Sequence, residues 1–208
     1  KDARWPIYGA IMQPRAGTVR HDAVAWGYAR AASALGVHII ENCEGTGFVM
    51  EDGKCAGIET SRGRINAGRV GIAVAGHTSH VARMAGMTLP VESHILQAFV
   101  TEPIKPIVDN VISWGAELFY LSQSDKGGLV FGGHIDGFNT YTQRDQFNRI
   151  QTVAECALSL MPFISRLRLL RHWGGIQDMT PDGSPFICKT PARNLYLNGG
   201  WCYQGFKA

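Results

Sequence analysis

The feature that most constrains this chain is a pair of glycine-rich segments in its last third, each placed beside a short apolar strand. The first is Trp-Gly-Gly at 173–175, and the second is Gly-Gly-Trp-Cys-Tyr-Gln-Gly-Phe-Lys at 199–207. Between them, Thr-Pro-Asp-Gly at 180–183 is typical of a turn that leads into a strand. Because glycine has no Cβ, such loops let a backbone approach a flat ligand closely. With one lysine after the second loop, the pattern favours the rim of a ring-shaped cofactor with an anionic substrate above it.

Composition excludes several classes of protein. The chain has 208 residues, 45% of them hydrophobic, which is enough for one large or two small domains with a buried core. No run of about 18 apolar residues occurs, so the sequence predicts no membrane span, and no signal-peptide pattern opens it. The formal net charge of +3 is modest and the basic residues are scattered, which argues against nucleic-acid binding. Five cysteines show no metal-binding spacing, and a reduced, cytoplasmic protein is the simplest interpretation.

Hydrophobic periodicity predicts an α+β chain with a mixed sheet. Apolar residues at helical spacing predict a helix from Asp22 to Leu35, and Glu-Asp-Gly-Lys at 51–54 marks a hairpin. The continuous apolar run at 70–75 indicates a buried parallel strand. The segments 97–101, 118–123 and 129–135 are expected to form strands of an antiparallel sheet. The apolar pattern that follows them predicts a long amphipathic helix over 144–160.

The order and spacing of these motifs resemble the flavin-dependent amine oxidases, a family that includes glycine oxidase, dimethylglycine dehydrogenase and the sarcosine oxidases. The motifs that carry the resemblance are Trp-Gly-Gly at 173–175, Thr-Pro-Asp-Gly-Ser-Pro-Phe at 180–186, Asn-Leu-Tyr at 194–196 and Gly-Phe-Lys at 205–207. A second segment, Gln-Pro-Arg-Ala-Gly-Thr-Val-Arg-His-Asp at 13–22, looks most like the β subunits of the heterotetrameric sarcosine oxidases. The resemblance covers essentially the whole chain, and it is specific at both ends and generic in the middle.

The resemblance implies a domain organisation. Residues 1–85 look like part of an FAD-binding domain, 86–172 like a substrate domain with an antiparallel sheet and a long helix, and 173–208 like a return to the FAD-binding domain. The expected fold is therefore α+β, a mixed antiparallel sheet with a remnant of a Rossmann-like α/β domain. Family members begin with a strand–GxGxxG–helix unit for the FAD pyrophosphate, and this sequence has no such motif. We expect an internal fragment that, on its own, binds flavin poorly, is inactive and self-associates.

The same resemblance implies roles for individual residues. Lys207 is expected to bind the substrate carboxylate, and His134 matches an active-site histidine, so these two are the predicted catalytic residues. His21 stands where those β subunits carry a histidine covalently bonded to FMN. Close approach to a non-covalent FAD is expected at Gly76, Gly174, Gly175 and Gly205, and no metal site is predicted. Without the resemblance, each of the three side chains also has an ordinary structural explanation. Lys207 can be a surface lysine, His134 a histidine that closes a strand, and His21 a histidine that precedes a helix.

The implied reaction is flavin-dependent oxidative demethylation of sarcosine, a small N-methyl amino acid. Glycine, hydrogen peroxide and either formaldehyde or methylene-tetrahydrofolate would be the products, and the chain would act as the β subunit of a hetero-oligomer with other sarcosine oxidase subunits. Cys-Tyr-Gln at 202–204 replaces the small residues of the family pattern. This departure keeps two alternatives open: a dehydrogenase of another secondary amine, such as dimethylglycine, proline or an opine, and a fragment that is non-catalytic on its own.

Overall fold

Three β-sheets, three α-helices and three short 3-10 helices account for the regular structure of the described residues, 6–144 and 146–206, in the computed structural model. The chain divides into two units. Among the described residues, the sheet unit comprises Ile95–Gly137 and Thr142–Gly175 together with 6–19, and the α/β unit comprises Arg20–His94, Phe138–Tyr141 and 176–206. Within the described residues, none of the helices combines the length and the hydropathy that crossing a bilayer requires.

The elements follow one another in a mixed order of helices and strands. The helices are α1 (His21–Ala34), α2 (Thr78–Met84) and α3 (Phe147–Leu160). The strands are β1 (Gly45–Glu51), β2 (Lys54–Thr60), β3 (Ile65–Asn66), β4 (Val70–Ile72), β5 (Glu92–Pro103), β6 (Ile112–Trp114), β7 (Phe119–Gln123), β8 (Gly128–Ile135), β9 (Leu169–Met179), β10 (Phe186–Lys189) and β11 (Leu195–Gly199). The predicted helices and hairpin are present, and the helix expected over 144–160 begins three residues later, at Phe147.

The α/β unit contains two small sheets. The hairpin β1–β2 turns at Asp52 and Gly53, which both have positive φ, and β3 pairs with β2. In the second sheet, β11 lies between β10 and β4 and runs parallel to β4, with Leu197 opposite Ile72. The core of this unit is built from Cys55, Ile72, Leu195 and Leu197. The apolar run at 70–75 therefore does contain a parallel strand, as its continuous hydrophobicity predicts.

The sheet unit is a five-stranded sheet in the order β6–β7–β8–β5–β9, with α3 packed on it. Alternating side chains of β5, β7 and β8 point to the helix, and the rings of Phe99 and Phe131 stack with centroids 5.3 Å apart. Val153, Cys156 and Ala157 of α3 are buried against these rings. Burial of each large apolar side chain contributes about 1.5–3 kcal/mol, so this face holds the unit together.

The glycines at 174 and 175 lie inside a strand, where the sequence predicts a loop. They belong to β9, which is an edge strand of the sheet. A Cβ at Gly174 would lie 2.5 Å from Ile95 Cγ2, so the glycine allows β9 to approach the neighbouring strand closely. The predicted loop was wrong because glycine can also mark close approach of two strands, a contact that local sequence does not reveal.

The start of β7 and the end of β8 meet at an irregular point of the sheet. Leu118, Gly133 and His134 all have positive φ, at 46°, 143° and 52°. The His134 backbone N–H donates to the Leu118 carbonyl at 3.2 Å, and a Cβ at Gly133 would lie 2.0 Å from that same oxygen. Only glycine fits at position 133, because both its backbone conformation and the space beside it exclude a side chain.

Gly133→Ala is expected to lower the free energy of unfolding by about 3 kcal/mol, since the new methyl group must displace the Leu118 carbonyl. Gly115→Ala is the matched control, because Gly115 lies in the same unit with negative φ and no atom within 4 Å of its Cβ position. Urea unfolding followed by circular dichroism measures both variants. Equal midpoints for the two would contradict this account of the junction.

Candidate active site

One buried carboxylate, that of Asp178, holds the second glycine loop. Asp178 is 4% exposed, and its Oδ2 accepts a hydrogen bond from the Gly200 backbone N–H. The Asp178 carbonyl accepts the Cys202 N–H at 3.1 Å. The same Oδ2 lies 3.5 Å from the hydroxyl of Thr78, which is the first residue of α2. Asp178 therefore ties the end of β9, the start of α2 and the glycine loop together.

Two glycines of this loop are required by packing within the protein. A Cβ at Gly199 would lie 2.6 Å from Thr78 Oγ1. Gly200 has a φ of 76°, and a Cβ there would lie 2.6 Å from Thr180 Cγ2. Both contacts fix the loop backbone close to α2 and to the turn after β9. The sequence indicates the loop but not the carboxylate that anchors it, because Asp178 and Gly200 are distant in the chain.

The side chain of Cys202 points toward Thr180 at the turn after β9. Cys202 has a φ of 52°, and its sulfur accepts the Thr180 backbone N–H at 3.3 Å. Tyr203 and Gln204 are exposed. Partial burial raises the pKa of the Tyr203 hydroxyl above its usual value, with a smaller contribution from Cys202. Of the three residues that depart from the family pattern, Cys202 is therefore accommodated by packing against Thr180.

The turn that precedes β10 is stabilised by the side chain of Asp182, which lies within the turn. The Ser184 N–H donates to Asp182 Oδ1 at 3.0 Å and holds the pKa of that carboxyl below its usual value. Gly183 has a φ of 73°, the left-handed conformation that the Asp-Gly pair predicts. This exposed turn places Phe186 at the start of the strand beside the glycine loop.

The predicted cofactor-contacting glycines differ in their surroundings. Gly76 is buried, its carbonyl accepts the Ser93 hydroxyl at 2.6 Å, and its Cβ position is filled by Ile176. Gly205 is exposed, with Trp201 Cβ 3.1 Å from its Cβ position. Gly175 is exposed and has no atom within 4 Å of its Cβ position, in contrast to the packed Gly174. Gly175 is therefore the predicted contact with the most open space for a ligand.

The structure groups the other predicted residues by unit. His21 is the exposed first residue of α1 in the α/β unit, beside the Arg20–Asp22 ion pair at 2.7 Å. That pair holds the pKa of the Asp22 carboxyl below its usual value. His134 lies in the sheet unit at the end of β8, where its Nε2 is 3.5 Å from the sulfur of Cys156. Lys207 lies outside the described residues.

The chain belongs to the FAD dependent oxidoreductase family, whose family model matches residues 1–208. This match confirms the predicted family and, together with the solved structures below, the predicted α+β fold class with a partial FAD-binding domain.

Several sarcosine oxidase β subunits are similar to the chain. It is 59% identical over 207 residues to sarcosine oxidase subunit beta of Rhizobium meliloti (strain 1021). The alignment covers 100% of this chain and 50% of that protein. The identity to the subunit beta of Rhodobacter capsulatus is 51% over 205 residues, covering 99% and 50%. The chain thus spans about half the length of the curated relatives it matches.

Solved structures show the same fold. L-proline dehydrogenase from P. horikoshii superimposes with a TM-score of 0.82 at 27% identity, covering 88% of this chain and 50% of that one. Glycine oxidase from Geobacillus kaustophilus has a TM-score of 0.78 at 21% identity, covering 88% and 49%. The second likeness concerns the fold alone.

Asp178→Ala is expected to lower the free energy of unfolding by about 2–4 kcal/mol, because it leaves the buried Gly200 N–H without its acceptor. Asp178→Asn retains an acceptor oxygen and should lose less. Asp182→Asn, in the exposed turn, serves as the control and should leave the urea midpoint nearly unchanged. Amide hydrogen exchange at Gly200 should accelerate in Asp178→Ala, and unchanged exchange there would disprove the anchoring role.

Proposed function

We propose that the protein containing this chain is a flavin-dependent amine oxidoreductase that oxidatively demethylates sarcosine to glycine. The observation that carries this proposal is the 59% identity to a sarcosine oxidase subunit beta over the full chain. Formaldehyde or methylene-tetrahydrofolate and hydrogen peroxide are the other products in this proposal. The subunit names of the relatives support a hetero-oligomer in which this chain supplies the β subunit.

The described residues fit a non-covalent FAD. The Gly175 position is open and exposed, and it offers no side-chain nucleophile for a covalent bond. The loop from Gly199 to Gly205 is anchored from within by Asp178, so its backbone is preorganised. We infer that Gly76, Gly174, Gly175 and Gly205 line the flavin through their backbones. When bound, FAD supplies the electron acceptor for oxidation of the amine.

Substrate orientation is assigned to Lys207. In this proposal Lys207 binds the sarcosine carboxylate through its ammonium group, a compact point charge on a flexible stem. This assignment rests on the Gly-Phe-Lys motif at 205–207. The active-site role of His134 stays a prediction. The ring of this histidine contacts the sulfur of Cys156.

His21 is proposed as the site of covalent FMN attachment. Its exposure at the start of α1 supports this, because an imidazole nitrogen must be accessible to act as a nucleophile. Arg15 and Arg20 lie in the preceding segment and are proposed to meet the FMN phosphate, for which Arg20 would have to share its charge with Asp22. The five free cysteines support a reducing compartment, and we assign the protein to the cytoplasm on that basis.

Exposed apolar side chains support the proposed partners and also the expected self-association of the isolated chain. Trp26, Tyr28 and Leu35 of α1 and its C-cap are 61%, 76% and 86% exposed. Large exposed apolar side chains are available for contacts with a partner or with a second copy of the chain.

Lys207→Met is expected to raise KM for sarcosine about 10- to 100-fold with a smaller change in kcat, because the carboxylate loses its counter-charge. Lys189→Met removes an exposed lysine of β10 and is the matched control. Steady-state oxidation is measured on the protein purified with the subunits that accompany it. Preference for proline or dimethylglycine over sarcosine would instead favour a secondary-amine dehydrogenase, the alternative that the likeness to L-proline dehydrogenase supports.

Acid precipitation tests the attachment of FMN. Flavin absorbance should remain in the acid pellet of the unmodified protein and should be lost from the pellet of His21→Ala, while FAD is released to the supernatant from both. His38→Ala, another exposed histidine of the α/β unit, should retain the pellet flavin. Pellet flavin that persists in His21→Ala would overturn the assignment.

A further inference from the structure

Three potential metal ligands converge within the sheet unit. Glu117, His134 and Cys156 each offer one ligand atom, and these atoms all lie within 4.8 Å of one another. The Cys156 sulfur is central, at 3.4 Å from Glu117 Oε2 and 3.5 Å from His134 Nε2. We propose that these three side chains bind a Zn²⁺ ion, in which case His134 serves as a metal ligand and not in the active-site role that the family resemblance implies for it.

The topology of the sheet explains why the three residues meet. Glu117 ends the short 3-10 turn just before β7, and His134 lies near the end of β8. Phe119 pairs with Gly133, so the antiparallel register brings these two ends together. The left-handed φ of His134 departs from the regular strand conformation and accompanies the contact of its ring with Cys156 on α3.

The two separations from the Cys156 sulfur match those of a tetrahedral zinc site. Zinc binds sulfur at about 2.3 Å and nitrogen or carboxylate oxygen at about 2.0 Å. At tetrahedral angles these bond lengths separate the sulfur from the other two ligand atoms by about 3.5 Å. The two measured separations from the Cys156 sulfur, 3.4 and 3.5 Å, fall at this value. The Cys156 sulfur is therefore placed as a shared ion would require relative to each of the other two ligand atoms, which themselves lie within 4.8 Å of each other.

The charges of the three side chains are compatible with a bound cation. Glu117 is 6% exposed and Cys156 is 5% exposed, so a carboxyl group and a thiol are buried side by side. A thiol is a weak hydrogen-bond donor, so the Cys156 thiol by itself compensates the Glu117 carboxylate poorly, and a Zn²⁺ ion bound also by the neutral His134 imidazole would compensate both anionic ligands. One thiolate, one carboxylate and one Zn²⁺ sum to zero charge. Binding of the Cys156 sulfur releases its proton to solvent.

A cavity provides room for the remaining coordination position. It has a volume of about 270 Å³ and is lined by Trp114, Glu117, Thr152, Glu155, Cys156 and Ser159. A water molecule from this cavity can serve as the fourth ligand beside three protein ligands. Because the ligands come from the turn before β7, from β8 and from α3, the ion would fasten the helix to the sheet.

Metal titration of the purified full chain, after chelator treatment and dialysis, tests the proposal directly. Co²⁺ is the spectroscopic probe, and Zn²⁺ is then used to displace it. We expect one ion per chain, intense visible bands of tetrahedral Co²⁺ and a near-ultraviolet thiolate-to-cobalt band. Zn²⁺ should abolish these bands and raise the midpoint of thermal unfolding. Absence of stoichiometric binding, or a Co²⁺ spectrum without the thiolate band, would overturn the site.

Variants separate ligation from folding. Cys156→Ser should abolish the thiolate band, and Glu117→Gln, which keeps the side-chain shape, should weaken affinity at least about tenfold, since even residues that only orient a ligand cost 10- to 100-fold. Cys188→Ser and Glu155→Gln are the matched controls, an exposed cysteine and an exposed glutamate of the same cavity. Circular dichroism checks folding, and if Cys156→Ser does not fold, Glu117→Gln decides. Wild-type affinity in folded Glu117→Gln would contradict the proposal, and neither readout depends on sarcosine oxidation.

Discussion

The Asp178 carboxylate accepts the Gly200 amide proton inside the α/β unit, and the position of the whole glycine loop follows from this bond. A buried carboxylate is costly unless it is hydrogen-bonded, and here the Gly200 N–H of the loop is a donor to it, with the Thr78 hydroxyl as a second, more distant partner. The absence of side chains at Gly199 and Gly200 lets the loop approach closely enough to do so. Loop order and carboxylate burial therefore depend on each other, and a ligand that meets this loop meets a preformed backbone.

The predicted site contains two kinds of glycine, those that packing within the protein requires and those that it does not, and sequence alone does not separate them. Gly76 and Gly174 have their Cβ positions filled by protein atoms, those of Ile176 and Ile95, so folding by itself requires glycine there. Gly175 has no such neighbour, and its lack of a side chain has no explanation within the described structure. A glycine that packing does not require is the better guide to a cofactor.

Much of the fold could be predicted because its elements carry local patterns. Alternation predicted the strands of the sheet unit, and helical spacing predicted α1 and α3, in which the apolar face of α3 does pack on the sheet. The motifs also identified the family. The Glu117–His134–Cys156 cluster could not be found in this way, since its members lie on three elements and share no spacing. The anchoring role of Asp178 could not be predicted for the same reason, since its partners lie in other segments of the chain.

The parallel pairing of β4 with β11 has a consequence for synthesis on the ribosome. The hairpin β1–β2 is complete as soon as its second strand emerges, whereas Val70 of β4 waits for Leu195 of β11. At 5–20 residues per second this delay is on the order of ten seconds. During that interval the backbone donors and acceptors on the edge of β4 that faces β11 have not yet met their native partner, so the nascent chain passes through a period in which mispairing of this edge competes with folding.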